Sequence, residues 1–158
     1  MPTDAPAADG PLTDDMQGLI ADHSAGMVAT VNADGTPAVS PKATFVVLDA
    51  ATLAFGDIRS PGTLANLRRR PAVEVCFIDV VLRRAVRVAG VATIAAKADA
   101  PDSLVAAFAA AWPDYLPLMS AFVTIAVARA ETILSPAYDL GLTADELRRS
   151  NLARLNGL

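Results

Sequence analysis

The sequence predicts a mainly β (α+β) domain: an antiparallel barrel of six strands with a few helices around it. Three observations predict it. Strand-like runs fill the middle of the 158-residue chain. Short turns join most of them. Helical patterns do not alternate regularly with the strands, which disfavours a doubly wound parallel sheet. The length suits one compact domain with a real core, and 53% apolar residues argues against a disordered chain.

The elements follow in order. Residues 1–12 read as a flexible lead rich in alanine and proline. Thr13 then precedes Asp14 and Asp15, with Met16, Leu19, Ile20 and His23 at helical spacing, so a capped amphipathic helix is expected, ending near Gly26. "GMVATVN" is the first strand, "ADGT" a tight turn, and "PAVSPKATFVVLD" the second strand of a hairpin. "ATLAFGD" is the third strand. A short helix from about Pro61 to Arg70 follows, stopped by Pro71. "AVEVCFID" and "RRAVRVAGVATIAA" are the fourth and fifth strands. "DAPDSLVAAFAAAW" is a helix with Asp99 as a candidate cap and Pro101 near its first turn, and "SAFVTIAVARAETI" is the sixth strand. "LTADELRRSNLARL" is a final helix in which Thr143 and Glu146 have the spacing of a capping box. Residues 13–135 thus make the barrel domain, and residues 136–158 a helical tail packed on it.

Composition narrows the function classes. A net charge of −4 argues against broad nucleic-acid or membrane-surface binding, which needs a basic face. No apolar run reaches a membrane span, and the N-terminus has no hydrophobic segment of a signal peptide, so a cytoplasmic protein is expected. The single cysteine, Cys76, allows no intrachain disulfide and lies in an apolar run, where it reads as a small buried hydrophobe. The single histidine, His23, has no serine-on-a-turn signature near it and no cluster that would make a metal site. Dinucleotide and P-loop glycine signatures are absent.

The stretch "GDIRSPGTLANLRRRP" carries the chemistry. Ser60 suits an N-cap and Pro61 the first helical position. The free N–H groups of that first turn carry partial positive charge and can seat a phosphate. Gly62 permits close approach to the backbone, the hydroxyls of Ser60 and Thr63 can donate, and Arg59 adds a full charge. The same residues also make sense as a plain helix start with a solvated arginine. Arg68, Arg69 and Arg70 only suit the negative end of the helix dipole. Lys42, in "VSPKAT", is either on a solvated face or aimed at an anion, and Pro41 beside it points to a sheet edge or bulge. Arg84 and Arg87 alternate with valines on the fifth strand, which puts them on the face opposite the valines; taken alone they read as an ordinary solvated face.

These pieces occur in a specific order. A D-G-x-P hairpin precedes a strand with S-P-K, then an L-x-F-x-D strand, then S-x-x-T-x-x-N-L, then a V-x-V-x-F strand. Over roughly Gly26 to Ile94 the chain resembles the FMN-binding split-barrel proteins related to pyridoxamine 5′-phosphate oxidase. The resemblance implies a Greek-key split barrel, a homodimer, and FMN held between subunits. It places Ser40, Pro41, Lys42, Ala43 and Thr44 beside the flavin, Asp57 at a strand end contacting it, and Ser60, Gly62 and Thr63 on the phosphate turn. It places Arg84 and Ala85 on a strand that approaches the flavin from below.

Two departures limit what the resemblance implies. The oxidases carry a basic pair on the phosphate turn, where this chain has Gly62 and Thr63. They also use an arginine-and-histidine motif near the C-terminus, and the tail here has no histidine. A pyridoxine phosphate substrate is therefore not expected. The implied function is an FMN-dependent oxidoreductase acting on another small molecule. The alternatives are a flavin carrier or sensor without turnover, a related barrel holding a deazaflavin or haem, and a dimer without a cofactor.

Overall fold

The run Pro37–Asp49 does not form one strand, and that break makes the strand count seven where the sequence predicts six. A computed structural model of the chain describes residues 10–158. It contains β1 (Gly26–Val31), β2 (Pro37–Lys42), β3 (Phe45–Asp49), β4 (Thr52–Asp57), β5 (Ala72–Asp79), β6 (Arg84–Ala96) and β7 (Ala121–Leu134). Four helices accompany them: α1 (Asp14–Asp22), α2 (Pro61–Arg69), α3 (Asp102–Ala111) and α4 (Ala144–Leu155). All pairings are antiparallel, in the order β2-β1-β5-β6-β7-β4-β3. This is the split barrel, mainly β, that the sequence predicts.

The β1–β2 hairpin turns at Asn32–Thr36. Gly35 holds φ at +89°, a conformation glycine takes without Cβ strain. Asp34 accepts from the Thr36 amide at 3.0 Å. Thr13 caps α1 by accepting from Met16 N at 3.3 Å, and the helix ends at Asp22, short of the expected Gly26. The capping box of α4 is formed: Thr143 N donates to Glu146 Oε2 at 2.7 Å, and Glu146 N donates to Thr143 Oγ1 at 3.3 Å. Asp99 is not the cap of α3. Lys97–Asp99 make a separate 3-10 turn, and Pro101 takes the N-cap position.

Alternation along the strands sends one set of side chains inward. Val28, Val75, Phe77, Val86, Val88, Val123 and Ile125 are fully buried there. Phe45 meets Phe55 at 5.3 Å and Phe77 at 4.8 Å between ring centroids. A second, smaller cluster lies under α3, where Phe108 stacks on Phe122 at 4.6 Å. Leu12 corrects the expected extent of the lead: it is fully buried, and its amide donates to Ala50 O at 2.9 Å. Residues 10–12 therefore pack on the barrel, while residues 1–9 of that expected lead lie outside the described residues.

The outer face corrects two further expectations. Cys76 is half-buried rather than a core residue, because it shares strand parity with Glu74 and Ile78 while Val75 and Phe77 point inward. Arg84 and Arg87 are three residues apart, so they cannot share a strand face. Arg87 stands outside, paired with Glu131 at 2.6 Å, whereas Arg84 has the parity of buried Val86 and Val88. The tail packs on the β5–β6 turn: Tyr138 donates to Leu82 O at 2.6 Å, and Asn151 Nδ2 donates to Val81 O at 2.8 Å. No helix among the described residues is long and apolar enough to cross a membrane.

The phenylalanine cluster is expected to dominate stability. Phe77→Ala should cost about 3–5 kcal/mol, since it removes a fully buried ring whose neighbours cannot collapse into the space. Urea denaturation monitored by far-UV circular dichroism checks this.

Candidate functional site

The site begins where the sheet breaks. β2 is an edge strand, so Pro41 removes no hydrogen bond that the ladder needs. Ala38, Ser40 and Lys42 turn to the half-buried side of β2, and Val39 and Pro41 turn outward. Lys42 Nζ donates to Ser40 Oγ at 2.5 Å. Thr44, just past the strand, is buried, and its Oγ1 donates to Gly56 O at 2.8 Å while Gly56 N donates to Thr44 O at 3.2 Å. This two-way link lays Pro41–Thr44 beside the end of β4. A Cβ on Gly56 would displace the buried Met119 side chain that packs against it.

From β4 the chain runs through Ile58 and Arg59 into α2. Ser60 occupies the N-cap position, and Pro61 the first helical position, as the sequence predicts. The Ser60 hydroxyl does not cap the helix. Its backbone (φ −132°, ψ 53°) departs from the extended geometry that brings a capping oxygen to the first-turn amides. The amides of Gly62 and Thr63 have no intrahelical acceptor by helix geometry, and no other acceptor takes them among the described residues. Three donors are thus left free at one helix start: two amides and a hydroxyl.

Sequence reasoning gave no role to Asn66, although it lies in the S-x-x-T-x-x-N-L pattern. It is buried one turn behind Thr63, and its Nδ2 donates to Thr30 Oγ1 and Asn32 Oδ1, both at 3.0 Å. Those bonds clamp α2 to the β1–β2 hairpin, and Arg70 adds a bond to Asn32 O at 2.9 Å. The free donors of α2 are therefore held at a fixed place opposite Ser40.

Two hollows meet at this point and share Arg59 and Ser60. One, of about 280 Å³, is polar. The hairpin lines it with Thr30, Asn32, Ala38 and Ser40, and α2 lines it with Pro61, Gly62, Thr63 and Asn66. The other, of about 290 Å³, is mainly apolar. Pro41–Thr44 form one side, Gly56 and Ile58 another, and Trp112 and Tyr115 the third. Each is near the lower size limit of a small-molecule site, and together they suit an elongated ligand with one polar end.

The electrostatics suit an anion with a polar ring or chain attached. Arg59 is exposed and makes no ion pair among the described residues. Burial holds the Lys42 ammonium below the ordinary lysine value, with the nearby Asp57 carboxylate partly opposing that shift. Asp57 is only 4% exposed. Its Oδ2 accepts from Ser120 Oγ at 3.1 Å, and its Oδ1 has no hydrogen-bond partner. Asp57 lines neither hollow, so this unpartnered oxygen lies behind the cleft rather than in it.

The structure brings together Ser40, Pro41, Lys42, Ala43, Thr44, Arg59, Ser60, Gly62 and Thr63, with Asp57 packed at their edge. It does not bring Arg84 and Ala85 to them. Arg84 lies at the other end of its strand system, 3.2 Å from Asp15 and 3.6 Å from Asp79, so its charge is already matched. Ala85 is buried and lines neither hollow.

The family model described as pyridoxamine 5′-phosphate oxidase matches residues 12–134. The match is wider than the stretch that carries the resemblance in the sequence. No curated protein matches the chain. Among solved structures, HupZ of Group A Streptococcus is 25% identical with a TM-score of 0.68, over 78% of this chain and 95% of its own. The provisionally named pyridoxamine 5′-phosphate oxidase of Lactobacillus delbrueckii is 26% identical with a TM-score of 0.65, over 77% of this chain and 93% of its own. An FMN-binding protein of Syntrophomonas wolfei, 12% identical over 75% of this chain and 84% of its own, shares the fold at a TM-score of 0.59.

The Lys42 environment has a measurable consequence. Its folded-state affinity for a proton is below the unfolded value of 10.5, so the charged amine costs stability near neutral pH. That cost disappears as pH rises toward 10.5. The native chain should therefore gain stability relative to Lys42→Met over the alkaline range below that value, as read from urea midpoints of both proteins against pH.

Proposed function

The chain belongs to the pyridoxamine 5′-phosphate oxidase family, and on that premise we propose that it binds FMN and acts as an FMN-dependent oxidoreductase on a small molecule. One observation carries the reading. The free amides of Gly62 and Thr63 and the uncommitted Ser60 hydroxyl converge on a polar hollow that opens into an apolar one. A phosphate suits the first, because helix-start amides and an unpaired arginine stabilise an anion there. A flat ring suits the second.

The residues present fit that cofactor. Arg59 supplies full charge where the family's oxidases use a basic pair. Ser40 lines the polar hollow and Lys42 the apolar one, so Lys42 can donate to a negative oxygen or nitrogen on a bound ring. The buried Asp57 carboxylate stands near Lys42 and favours its charged form. Bound FMN would supply hydride transfer at its ring, with the protein providing binding, orientation and electrostatics. No side chain lining the cleft clearly offers itself as a general base, which suits chemistry carried by the cofactor. The absence of histidine from residues 136–158 supports a substrate other than pyridoxine phosphate.

We also read the working unit as a homodimer with the flavin at the subunit interface. The apolar hollow is open on one side, and a second copy would complete it. On this reading, any contact of Arg84 or Ala85 with a flavin would have to be made across that interface, since neither lines the cleft of its own chain.

The test is ligand retention. The purified protein should show flavin absorption bands, and mass spectrometry of the released ligand should give FMN. A single band or a Soret band would favour a deazaflavin or haem, and a colourless protein that takes up none of these would overturn the reading. Combined Ser60→Ala and Thr63→Ala should weaken FMN binding about tenfold or more through lost hydrogen bonds to a charged group, as read by flavin fluorescence on titration.

A further inference from the structure

A third hollow lies away from the cleft and shares no lining residue with it. It holds about 370 Å³ between the β5–β6 turn and α4. Ile78 and Val80 line it at the end of β5, Arg83 lines it from the turn, and Asn151, Arg154 and Leu155 line it from α4.

The turn that carries Arg83 is fixed by its neighbours. Asp79 Oδ1 accepts from the amides of Val81 and Leu82 at 3.0 and 2.9 Å. The next three carbonyls are all engaged. Val81 O accepts from Asn151 Nδ2 at 2.8 Å, Leu82 O from the Tyr138 hydroxyl at 2.6 Å, and Arg83 O from Ser135 N at 3.0 Å. Arg83 sits at φ +54°, and it is the only non-glycine residue with positive φ among the described residues. A residue with a Cβ keeps that conformation only where its surroundings impose it, whereas glycine takes it freely. The fixed turn thus sets an arginine on the wall of the hollow.

The lining has two kinds of chemistry. Arg83 and Arg154 make no ion pair among the described residues. No acid lines the hollow, although the chain carries a net charge of −4. A guanidinium is a planar fork of donors that matches a carboxylate. Opposite in character are Ile78, Val80 and Leu155, which are 48%, 53% and 43% exposed. They leave aliphatic surface in water beside the two charges, and burying it is favourable. No aromatic side chain lines the hollow, so it offers no stacking face to a flat ring. We propose that this hollow is a second ligand site, and that it takes a small aliphatic carboxylate. Arg83 and Arg154 hold the headgroup, and Ile78, Val80 and Leu155 cover the chain.

Calorimetric titration with octanoate, with and without excess FMN, tests this. Acetate carries the same headgroup without the chain, and 1-octanol the same chain without the charge. Octanoate should bind saturably, and each of the other two about tenfold more weakly or worse. Arg83→Gly removes the guanidinium and puts glycine where φ is positive. The fold should persist by far-UV circular dichroism, while octanoate affinity falls about tenfold. Arg154→Gln should lose a similar factor. FMN should leave the octanoate affinity within about twofold.

Octanol binding as tightly as octanoate would overturn the proposal, since the arginines would then recognise nothing. Acetate matching octanoate would do the same for the aliphatic wall. Full affinity in either arginine variant would place the carboxylate elsewhere, and displacement by FMN would assign it to the cofactor cleft. The site does not rest on the FMN reading: a chain that takes no FMN but binds octanoate through both arginines keeps it.

Discussion

The two residues Ala43 and Thr44 join the two ends of the sheet. β2 and β3 are the outermost strands in the pairing order, and they are also consecutive in the chain. An open seven-stranded sheet therefore has its edges tied covalently, and it must curl to allow the tie. The buried Thr44 hydroxyl makes this seam specific by bonding the Gly56 carbonyl, and the Gly56 amide bonds back. Leaving either buried group unpaired would cost about 1–3 kcal/mol, more than a net surface hydrogen bond returns. The seam also brings Pro41–Thr44, the end of β4 and the start of α2 into one place. The cleft is a consequence of how the barrel closes.

Stability and function draw on different residues here. Phe45, Phe55 and Phe77 pack inside the barrel, each contributing roughly 1.5–3 kcal/mol by burial. Asn66 and its two partners hold α2 against the hairpin. Against this stand polar groups left without partners: the amides of Gly62 and Thr63, and one oxygen of Asp57. Away from the cleft, a further buried donor, Arg84 Nε, also has no hydrogen-bond partner.

Much of the site was legible because it is local. Ser60, Pro61, Gly62 and Thr63 are neighbours in the chain, and a helix start exposes its amides whatever lies around it. Pro41 signalled an edge, and β2 is one. Arg84 and Arg87 alternate with valines only in part: their spacing of three puts them on opposite faces of β6, and the local pattern does not say which face is inward. Cys76 was misplaced for a similar reason, since an apolar run does not say which parity faces the core. Trp112 and Tyr115 left no local signal at all. They are distant in sequence from the phosphate turn, and only the packing of α3 over β3 and β4 sets them across the hollow from Arg59.

By itself the sequence determined the class of fold, most strand and helix positions, the caps at Thr13 and Thr143, and the helix start that offers free donors. These depend on period, turn residues and capping, which act over a few residues. The tertiary structure decided the break at Ala43–Thr44, the sheet order, the burial of Leu12, and which charges remain unmatched. It also decided that a polar and an apolar hollow join end to end. Each of these depends on groups far apart in the chain competing for the same partners, and that competition is resolved only when the sheet closes.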